Sequence, residues 1–384
     1  MTQAHSTTGS APAHKPVPLF ELATQWQVIR NEVEAAIKEV LDSQQYTSGA
    51  ASGPFIGRFE DHLGKKLGAQ VVAISSGTDA ILAAHMALGI GHGHEVITTP
   101  FTFFATAGCI SRAGARPVFV DIDPKTFLLD YSLVEAAITK NTKAIVPVHL
   151  YGQMGDTAKL ADIACRHGLD IIEDAAQSIG AKDPHGKQIA ENARCACLSF
   201  YPTKNLGAAG DAGALVTRGE KLAQRFRQTR QHGETSRYNH EFVGGNFRMD
   251  AIQAAVLDVK LRYLDRWHDR RRAIAAYYDS RFSGTDIVPP YAAPGVYHVY
   301  HQYVIRVPRR DALRDHLTQN GVGCNIFYPK GLHLQACFAD LGYKRGAFPQ
   351  TEKACEEVLA LPVFPELTDS QIQRVADVIL AFYK

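Results

Sequence analysis

The stretches RPVFVDI (116–122), AIVPVHL (144–150) and LDIIEDA (169–175) decide the fold of this chain. Each is a short apolar run rich in Val and Ile, and helix-like segments separate one run from the next. Four more runs of this kind lie on either side: VVAIS (71–75), EVITTP (95–100), CLSFYP (197–202) and GALVT (213–217). Strands without polar alternation need cover on both faces, which crossover helices provide. The pattern therefore predicts an α/β fold with a mostly parallel, buried central sheet.

The segments outside this region complete the domain organisation. Residues 1–16 are rich in Ser, Thr, Ala, His and Pro without periodicity, and they predict a disordered N-terminal arm. An apolar helix face over 249–264 continues into the charged segment DRWHDRRR (265–272), which predicts a long solvated helix. We place a large domain at 17–260 and a smaller α+β domain at 261–384, with a last helix near 368–383.

The composition excludes several classes of protein. The 384 residues include 41 Lys and Arg against 39 Asp and Glu, and this net charge of +2 argues against a nucleic-acid-binding basic face. No apolar run reaches the roughly 18 residues of a membrane span, and the N-terminal stretch lacks a signal-peptide core. Seven scattered Cys predict reduced thiols. We expect a cytoplasmic protein without nucleic-acid or membrane partners.

Three motifs follow predicted strands, at the sheet edge where sites in parallel sheets form. SSGTDA (75–80) places small residues before a helix, so that backbone N–H groups can approach an anion; a plain helix cap is the alternative. EDAAQS (173–178) ends an apolar strand with carboxylates that need a cation, or that cap the next helix. In SFYPTKNLGAAGDAGA (199–214), Lys204 is either a reactive amine or a solvated loop lysine.

The three motifs together, in this order, fit one cofactor. Pyridoxal phosphate needs a phosphate site, a carboxylate for its pyridine nitrogen and a lysine for its aldehyde. The Gly-rich run matches neither a P-loop nor a GxGxxG pattern, so a nucleotide site of those types is not indicated. His92 and His94 have no acidic cluster beside them, and we predict no metal site.

With these motifs the chain resembles the DegT/DnrJ/EryC1/StrS family of pyridoxal-phosphate-dependent nucleotide-sugar aminotransferases. The resemblance covers roughly residues 17–384. Its further motifs, in order along the chain, are TFFAT (102–106), PVHLYGQ (147–153), RQHG (230–233) and GGNFRMDAIQAA (244–255). It implies an aspartate-aminotransferase-like fold (fold type I), with the mostly parallel sheet in the large domain.

The resemblance also implies a role for each matching residue. Lys204 would hold the cofactor and move a proton between the substrate carbon and C4′, and Asp174 would keep the pyridine nitrogen protonated. Asn246 would reach the phosphate in the neighbouring subunit, which implies a homodimer with shared active sites. The remaining assignments are Gln177 at the phenolic oxygen, Phe103 on the ring face (or in the core), Gly77, Thr78 and Ser199 at the phosphate, and Arg248, Tyr328 and His333 on the substrate side.

The implied reaction moves an amino group from L-glutamate to a keto sugar linked to dTDP or UDP, with pyridoxamine phosphate between the two half-reactions. A 3-keto sugar is preferred over a 4-keto sugar, for the synthesis of surface polysaccharide. Phe327 stands where many relatives have His, and Gly331 stands where many have Pro. Both positions belong to the sugar pocket, so the resemblance does not imply which sugar is bound. Two alternatives are a sugar dehydratase of the same family, which has His in place of Lys204, and a non-catalytic, cofactor-binding regulatory protein.

Overall fold

A computed structural model describes residues 15–48 and 52–384. Most of the predicted N-terminal arm therefore lies outside the described residues. The described part contains the following helices: α1 (Ala23–Ser43), α2 (Gly53–Leu67), α3 (Gly77–Ala87), α4 (Ala105–Arg112), α5 (Tyr131–Val134), α6 (Thr157–His167), α7 (Glu220–Arg230), α8 (Ala251–Leu261), α9 (Leu264–Phe282), α10 (Arg310–Gln319), α11 (Pro349–Glu357) and α12 (Asp369–Phe382). Short 3₁₀ helices occupy Glu135–Ala137, Leu150–Gly152, Leu332–Leu334 and Ala336–Leu341.

Every predicted apolar run contributes a strand to one central sheet. The strands are β1 (Gln70–Ile74), β2 (Glu95–Thr98), β3 (Arg116–Phe119), β4 (Thr142–Ile145), β5 (Asp170–Asp174), β6 (Cys195–Ser199) and β7 (Gly213–Thr217). Their spatial order is β1-β7-β6-β5-β4-β2-β3. The pairs from β6 to β3 are parallel, and β7 runs antiparallel to both of its neighbours. The prediction of a mostly parallel α/β sheet is confirmed.

The sheet is buried on both faces, as continuous apolar strands require. Alternate residues of β1 show this directly. Val71 and Ala73 belong to a core cluster that includes side chains from α2 and α8. Val72 and Ile74 belong to another cluster, which includes side chains from α3 and α7. These four side chains are 2% exposed or less, so both faces of the strand are covered.

The C-terminal part of the chain has a hydrophobic cluster of its own. A short antiparallel sheet of β10 (Tyr303–Arg306) and β11 (Val358–Leu361) packs with residues of α9, α10 and α12. Val17 joins this cluster, and its carbonyl accepts a hydrogen bond from the Gly323 amide, 2.7 Å away. The beginning of the described chain thus packs on its C-terminal part. The domain boundary near 260 stays a prediction.

The charged segment 265–272 differs from its prediction. The predicted continuous helix breaks at Arg262 and Tyr263, between α8 and α9. Trp267, His268 and Arg271 are buried and not solvated. Arg271 Nη1 donates to the carbonyl oxygens of Tyr300 and Val363, at 3.1 and 2.6 Å. Backbone carbonyls from distant segments therefore accept hydrogen bonds from a guanidinium that sequence pattern alone assigns to solvent.

The described residues lack two features that would bear on the class of protein. Across 15–48 and 52–384, no helix has both the length and the apolarity to cross a membrane. Within the same ranges, no cluster of three or more His, Cys, Asp or Glu side chains could hold a metal ion. A short antiparallel hairpin, β8 (Glu234–Ser236) with β9 (Asn239–His240), lies between α7 and α8 in sequence.

Candidate active site

A cavity of about 690 Å³ lies at the carboxyl edge of the central sheet. Asp174 ends β5 and Ser199 ends β6, and both line this cavity. The cavity brings together eight of the predicted site residues: Gly77, Thr78, Phe103, Asp174, Gln177, Ser199, Lys204 and Tyr328. It does not include Asn246, Arg248 or His333 among its lining residues.

The start of α3 forms a close-packed anion cradle. Ser76 is the N-cap, and its Oγ accepts a hydrogen bond from the Asp79 amide at 3.0 Å. A Cβ built on Gly77 would lie 2.6 Å from Ser199 Cβ, and one built on Gly213 would lie 2.5 Å from the Ser76 carbonyl carbon. Only glycine permits these approaches. The free N–H groups of the helix start, beside the Thr78 and Ser199 hydroxyls, suit a phosphate group.

Asp174 is a buried carboxylate whose hydrogen-bond donors are neutral. It is 5% exposed. Thr106 Oγ1 donates to Oδ2 at 2.7 Å, and the Ala176 amide donates to Oδ1 at 3.2 Å. Both carboxylate oxygens therefore accept a hydrogen bond from the protein. A buried negative charge of this kind calls for a cation in the cavity, such as a protonated ring nitrogen.

The hydrogen bonds of Gln177 fix the orientation of its amide. The Tyr151 amide donates to Oε1 at 2.7 Å, so the opposite end of the group is the NH₂ donor. This Nε2 lies 3.3 Å from the Tyr328 hydroxyl. Burial raises the pKa of Tyr328, which keeps its phenol protonated. Gln177 therefore presents a donor to the cavity, which suits a phenolic oxygen.

Lys204 lies in the turn after β6, where its amide donates to the Tyr201 carbonyl at 2.8 Å. Burial lowers the pKa of its amine to about 8, although the negative charge of Asp174 opposes this effect. A substantial fraction of the amine is therefore neutral near physiological pH. A neutral lysine amine can attack a carbonyl carbon or take up a proton. The alternative of a solvated loop lysine does not fit this position.

A second wall of the cavity comes from a segment with no recognisable motif. His301 and Gln302 line the cavity although they follow Lys204 by about a hundred residues. Asn205, next to Lys204, holds this segment: its Nδ2 donates to the Val299 carbonyl at 3.0 Å, and its Oδ1 lies 3.2 Å from His301 Nδ1. Burial and the charge of Lys204 hold the pKa of His301 well below its usual value, so the ring is neutral.

Three predicted site residues lie elsewhere in the single chain. Asn246 is exposed and forms a bridge with Gln231, and Arg248 Nη1 donates to Gln231 Oε1 at 3.0 Å. His333 is 1% exposed, with Nε2 3.1 Å from Glu352 Oε1. A Cβ on Gly331 would lie 2.6 Å from His333 Cε1, so this glycine makes room for the ring to fold inwards. His333 thus packs under the substrate-side loop and does not reach the cavity.

Several residues of the site were not predicted from the sequence, although they contact the predicted residues or line the same cavity. Thr106, whose hydroxyl donates to Asp174, lies in the TFFAT motif. The two Thr residues of this motif are four positions apart, and this spacing could have indicated a contact between them. Tyr201, Thr203 and Asp211 line the cavity within or beside the Lys204 turn. His301 and Gln302 gave no such signal, because only the tertiary fold brings them to the site.

The residues present fit pyridoxal phosphate. The glycine-lined start of α3 matches the phosphate, the buried Asp174 carboxylate matches a protonated pyridine nitrogen, and the Gln177 NH₂ group matches a phenolic oxygen. Lys204 is the amine that the aldehyde requires. Phe103 is 59% exposed, which places its ring in the cavity wall and not in the core.

Comparisons with known proteins identify the family of this chain. The model of the DegT/DnrJ/EryC1/StrS aminotransferase family matches residues 27–380. The chain is 48% identical to a pleiotropic regulatory protein of Geobacillus stearothermophilus, over 96% of this chain and 99% of that protein. It is 41% identical to a dTDP-3-amino-3,4,6-trideoxy-alpha-D-glucose transaminase of Streptomyces venezuelae, over 96% and 97% of the two chains. It is 39% identical to a UDP-N-acetyl-3-dehydro-alpha-D-glucosamine 3-aminotransferase of Acidithiobacillus ferrooxidans, over 94% and 97%.

Two solved structures give the same result for the fold and the cofactor. The crystal structure of DesV from S. venezuelae, in complex with a ketimine intermediate, superposes with a TM-score of 0.93 at 40% identity and covers 97% of this chain and 99% of its own. NtdA of Bacillus subtilis, with bound cofactor PMP, has a TM-score of 0.86 at 32% identity, over 97% and 86% of the two chains. The chain therefore belongs to the DegT/DnrJ/EryC1/StrS aminotransferase family, has the type I aminotransferase fold and is a pyridoxal-phosphate-dependent enzyme.

Proposed function

We propose that the enzyme transfers an amino group from L-glutamate to the C3 keto group of a dTDP- or UDP-linked sugar. The position of Lys204 carries this proposal, because its partly neutral amine shares one cavity with Asp174 and the glycine-lined start of α3. The names of two relatives, which denote 3-amino or 3-dehydro sugars on dTDP and UDP, favour amination at C3. Amination at C4 is the alternative, and synthesis of surface polysaccharide in the cytoplasm is the proposed setting.

Three residues of the cavity have a proposed task in this reaction. When bound, pyridoxal phosphate supplies an aldehyde for the amino group and a ring that takes up electrons. Lys204 Nζ is the base that takes the proton from the α-carbon of glutamate, and its pKa of about 8 suits this role near neutral pH. Asp174 holds the proton at the ring nitrogen, and Gln177 donates to the phenolic oxygen. The sugar then uses the same groups in the reverse direction.

The proposal includes a homodimer in which each site uses both chains. Asn246 and Arg248 lie outside the cavity of their own chain, on the segment that follows the exposed β8–β9 hairpin. In the proposed dimer, Asn246 reaches the cofactor phosphate of the partner, and Arg248 lies near the nucleotide sugar. Tyr328 is the proposed sugar contact within the same chain, since it lines the cavity beside Gln177.

Two other functions compete with this proposal. A sugar dehydratase of this family has His in place of the lysine, so Lys204 argues against that reaction. A regulatory protein without turnover is favoured by one observation, which is the name of the relative from G. stearothermophilus. The half-reaction with glutamate separates these functions without knowledge of the sugar. An aminotransferase releases about one 2-oxoglutarate per site from L-glutamate, and a pure binding protein releases none.

The complete reaction is tested with a panel of UDP- and dTDP-linked 3-keto and 4-keto sugars in the presence of glutamate. We expect a 3-amino sugar by mass spectrometry. Turnover of only 4-keto sugars would contradict the C3 assignment, and loss of water without amination would identify a dehydratase.

The role of Lys204 is tested with Lys204→Ala, which should abolish both the visible band of the bound cofactor and the half-reaction. Lys260→Met is a matched control, because burial also lowers the pKa of Lys260 to about 8 but its amine lies outside the cavity. The control should keep the band. A normal band and turnover in Lys204→Ala would refute the assignment.

A further inference from the structure

We propose that Thr106 is a positioning residue for Asp174, and that the Thr102 hydroxyl holds the Thr106 hydroxyl in place. Thr106 Oγ1 lies 2.7 Å from Asp174 Oδ2, and Thr102 Oγ1 lies 3.0 Å from Thr106 Oγ1. The two hydroxyls thus form a chain that ends on the carboxylate. The proposal rests on the role of Asp174 as partner of the ring nitrogen.

The direction of the hydrogen bonds in this chain follows from the number of protons. A threonine hydroxyl has one proton, and an ionised carboxylate only accepts. Thr106 must therefore donate to Asp174, and Thr102 must donate to Thr106. Thr102 and Thr106 are 3% and 0% exposed, so water does not compete for these bonds. Hydrogen bonds to charged groups away from water are among the stronger ones in proteins.

A second donor makes the carboxylate rotationally fixed. The Ala176 amide donates to Asp174 Oδ1 at 3.2 Å while Thr106 holds Oδ2. Rotation of the carboxylate would break both bonds. The lone pairs that remain are therefore presented to the cavity in one orientation. Ala176 and Asp174 lie in one motif, EDAAQS, whereas Thr106 lies in α4, which is distant in sequence.

The geometry of α4 explains why this position carries threonine. Thr106 lies in the first turn of α4, whereas Thr102 lies in the turn that leads into this helix. The path of this turn brings the Thr102 hydroxyl to 3.0 Å from the Thr106 hydroxyl. The Thr106 amide donates to the Phe103 carbonyl at 3.3 Å, and Phe103 lines the cavity. Thr106, at the start of α4, therefore contacts both the Asp174 carboxylate and the backbone of Phe103 in the cavity wall. A fully buried site without a polar task would accept valine, which has the shape of threonine.

Thr106→Val tests the proposal, with Thr106→Ser as the variant that keeps the hydroxyl. Thr157→Val is a matched control in the same protein, because Thr157 Oγ1 donates to the buried Asp183 Oδ2 at 2.6 Å and accepts from Asn192, away from the cavity. We measure the dissociation constant of pyridoxal phosphate from the enzyme. We expect an increase of about tenfold or more in Thr106→Val, since a hydrogen bond to a charged group is lost. Ser at this position should restore most of the affinity.

The pH midpoint of the visible cofactor band is a second readout, which a purely structural role would not move. A weaker Asp174 holds the ring-nitrogen proton less tightly, so there is less positive charge near Lys204 and the midpoint shifts upward. The other titratable groups that interact with Asp174 are Lys204, Tyr328, Cys109 and Cys197. Thr106→Val leaves all four in place. The shift therefore reports the carboxylate itself.

The outcomes separate this proposal from the role of Asp174. If Asp174→Asn changes the affinity and the midpoint but Thr106→Val changes neither, only the positioning role of Thr106 is overturned. If Asp174→Asn changes neither, the role of Asp174 fails as well. Equal losses in Thr106→Val and Thr157→Val would show a general loss of stability and would also overturn the proposal. A loss that is specific to Thr106→Val and rescued by Ser supports it.

Discussion

Replacing Gly77 by Ala places a methyl group where the start of α3 contacts Ser199. The new Cβ would lie 2.6 Å from Ser199 Cβ and 3.0 Å from its Oγ. Ordinary contacts of this kind begin near 3.4 Å, so the two elements must separate by about 0.8 Å. The opposite side offers no space, because the Ser76–Gly77 peptide already packs against Gly213. The substitution therefore displaces the N–H groups of the phosphate cradle.

Two magnitudes follow from this displacement. Overpacking of a well-packed site costs about 1–3 kcal/mol in the free energy of unfolding. Hydrogen bonds of 2.7–3.2 Å that lengthen by about 0.8 Å are largely lost. Loss of one bond to the charged phosphate costs about 1.5–3 kcal/mol, which is roughly tenfold to hundredfold in the dissociation constant. Gly77→Ala should therefore remain folded but bind pyridoxal phosphate at least about tenfold more weakly.

The assay is a titration of Gly77→Ala with pyridoxal phosphate, followed by the visible band, together with thermal unfolding. Gly57→Ala is the matched control, because Gly57 lies inside α2 and its Cβ would be 3.8 Å from the nearest atom. That variant should bind the cofactor normally and be more stable by up to about 1 kcal/mol. Wild-type affinity in Gly77→Ala would refute the assignment of the α3 start as the phosphate cradle.

Three further predictions follow from buried groups and from the proposed dimer. Burial lowers the pKa of His85 to about 4, so the unfolded chain takes up a proton first as the pH falls below 6.5. Wild type should lose stability relative to His85→Leu between pH 6.5 and about 4, by up to about 1.4 kcal/mol per pH unit; parallel curves from urea unfolding would contradict this. Glu60→Leu leaves the buried Arg230, 2.7 Å from Glu60 Oε1, without its carboxylate and should cost about 3–5 kcal/mol in the same assay; a loss below about 1 kcal/mol would count against it. Mixed dimers of inactive Asn246→Ala and Lys204→Ala chains should regain some transamination, and no recovery after proven subunit exchange would argue against shared sites.

The fold was predictable because the apolar residues of each strand indicate that the strand is buried on both faces. In β1, the residues Val71 to Ile74 are all apolar, and the structure buries them between two helical layers. The charged segment around Arg271 was not predictable in the same way. Its burial depends on the carbonyl oxygens of Tyr300 and Val363, which lie far away in sequence. Local pattern cannot reveal a partner that only the tertiary fold supplies.

The site follows the same division. Lys204, Asp174 and Gln177 lie in motifs directly after strands of the parallel sheet, where topology alone brings chemistry together. His301 has no motif, and its place in the cavity depends on Asn205 and on the path of a distant segment. His333 matched a substrate-side loop in sequence, but Glu352 of α11 holds it in the interior. Residue type and spacing did not distinguish an inward from an outward histidine.

The charge of the cavity favours a second subunit in the site. Among the described residues that line it, Lys204 is the one cation beside the carboxylates of Asp174 and Asp211, since His301 is neutral. In the proposed reaction, glutamate would bring two carboxylates and a nucleotide sugar would bring a diphosphate. We assign the N–H groups of α3 to the cofactor phosphate, so the proposed substrates would need cations that the described lining does not provide. Arg248 follows the β8–β9 hairpin in sequence, and its backbone forms a bridge with Ile74 at the end of β1. In the proposed homodimer, the partner's Arg248 would supply the positive charge that the cavity of a single chain does not provide.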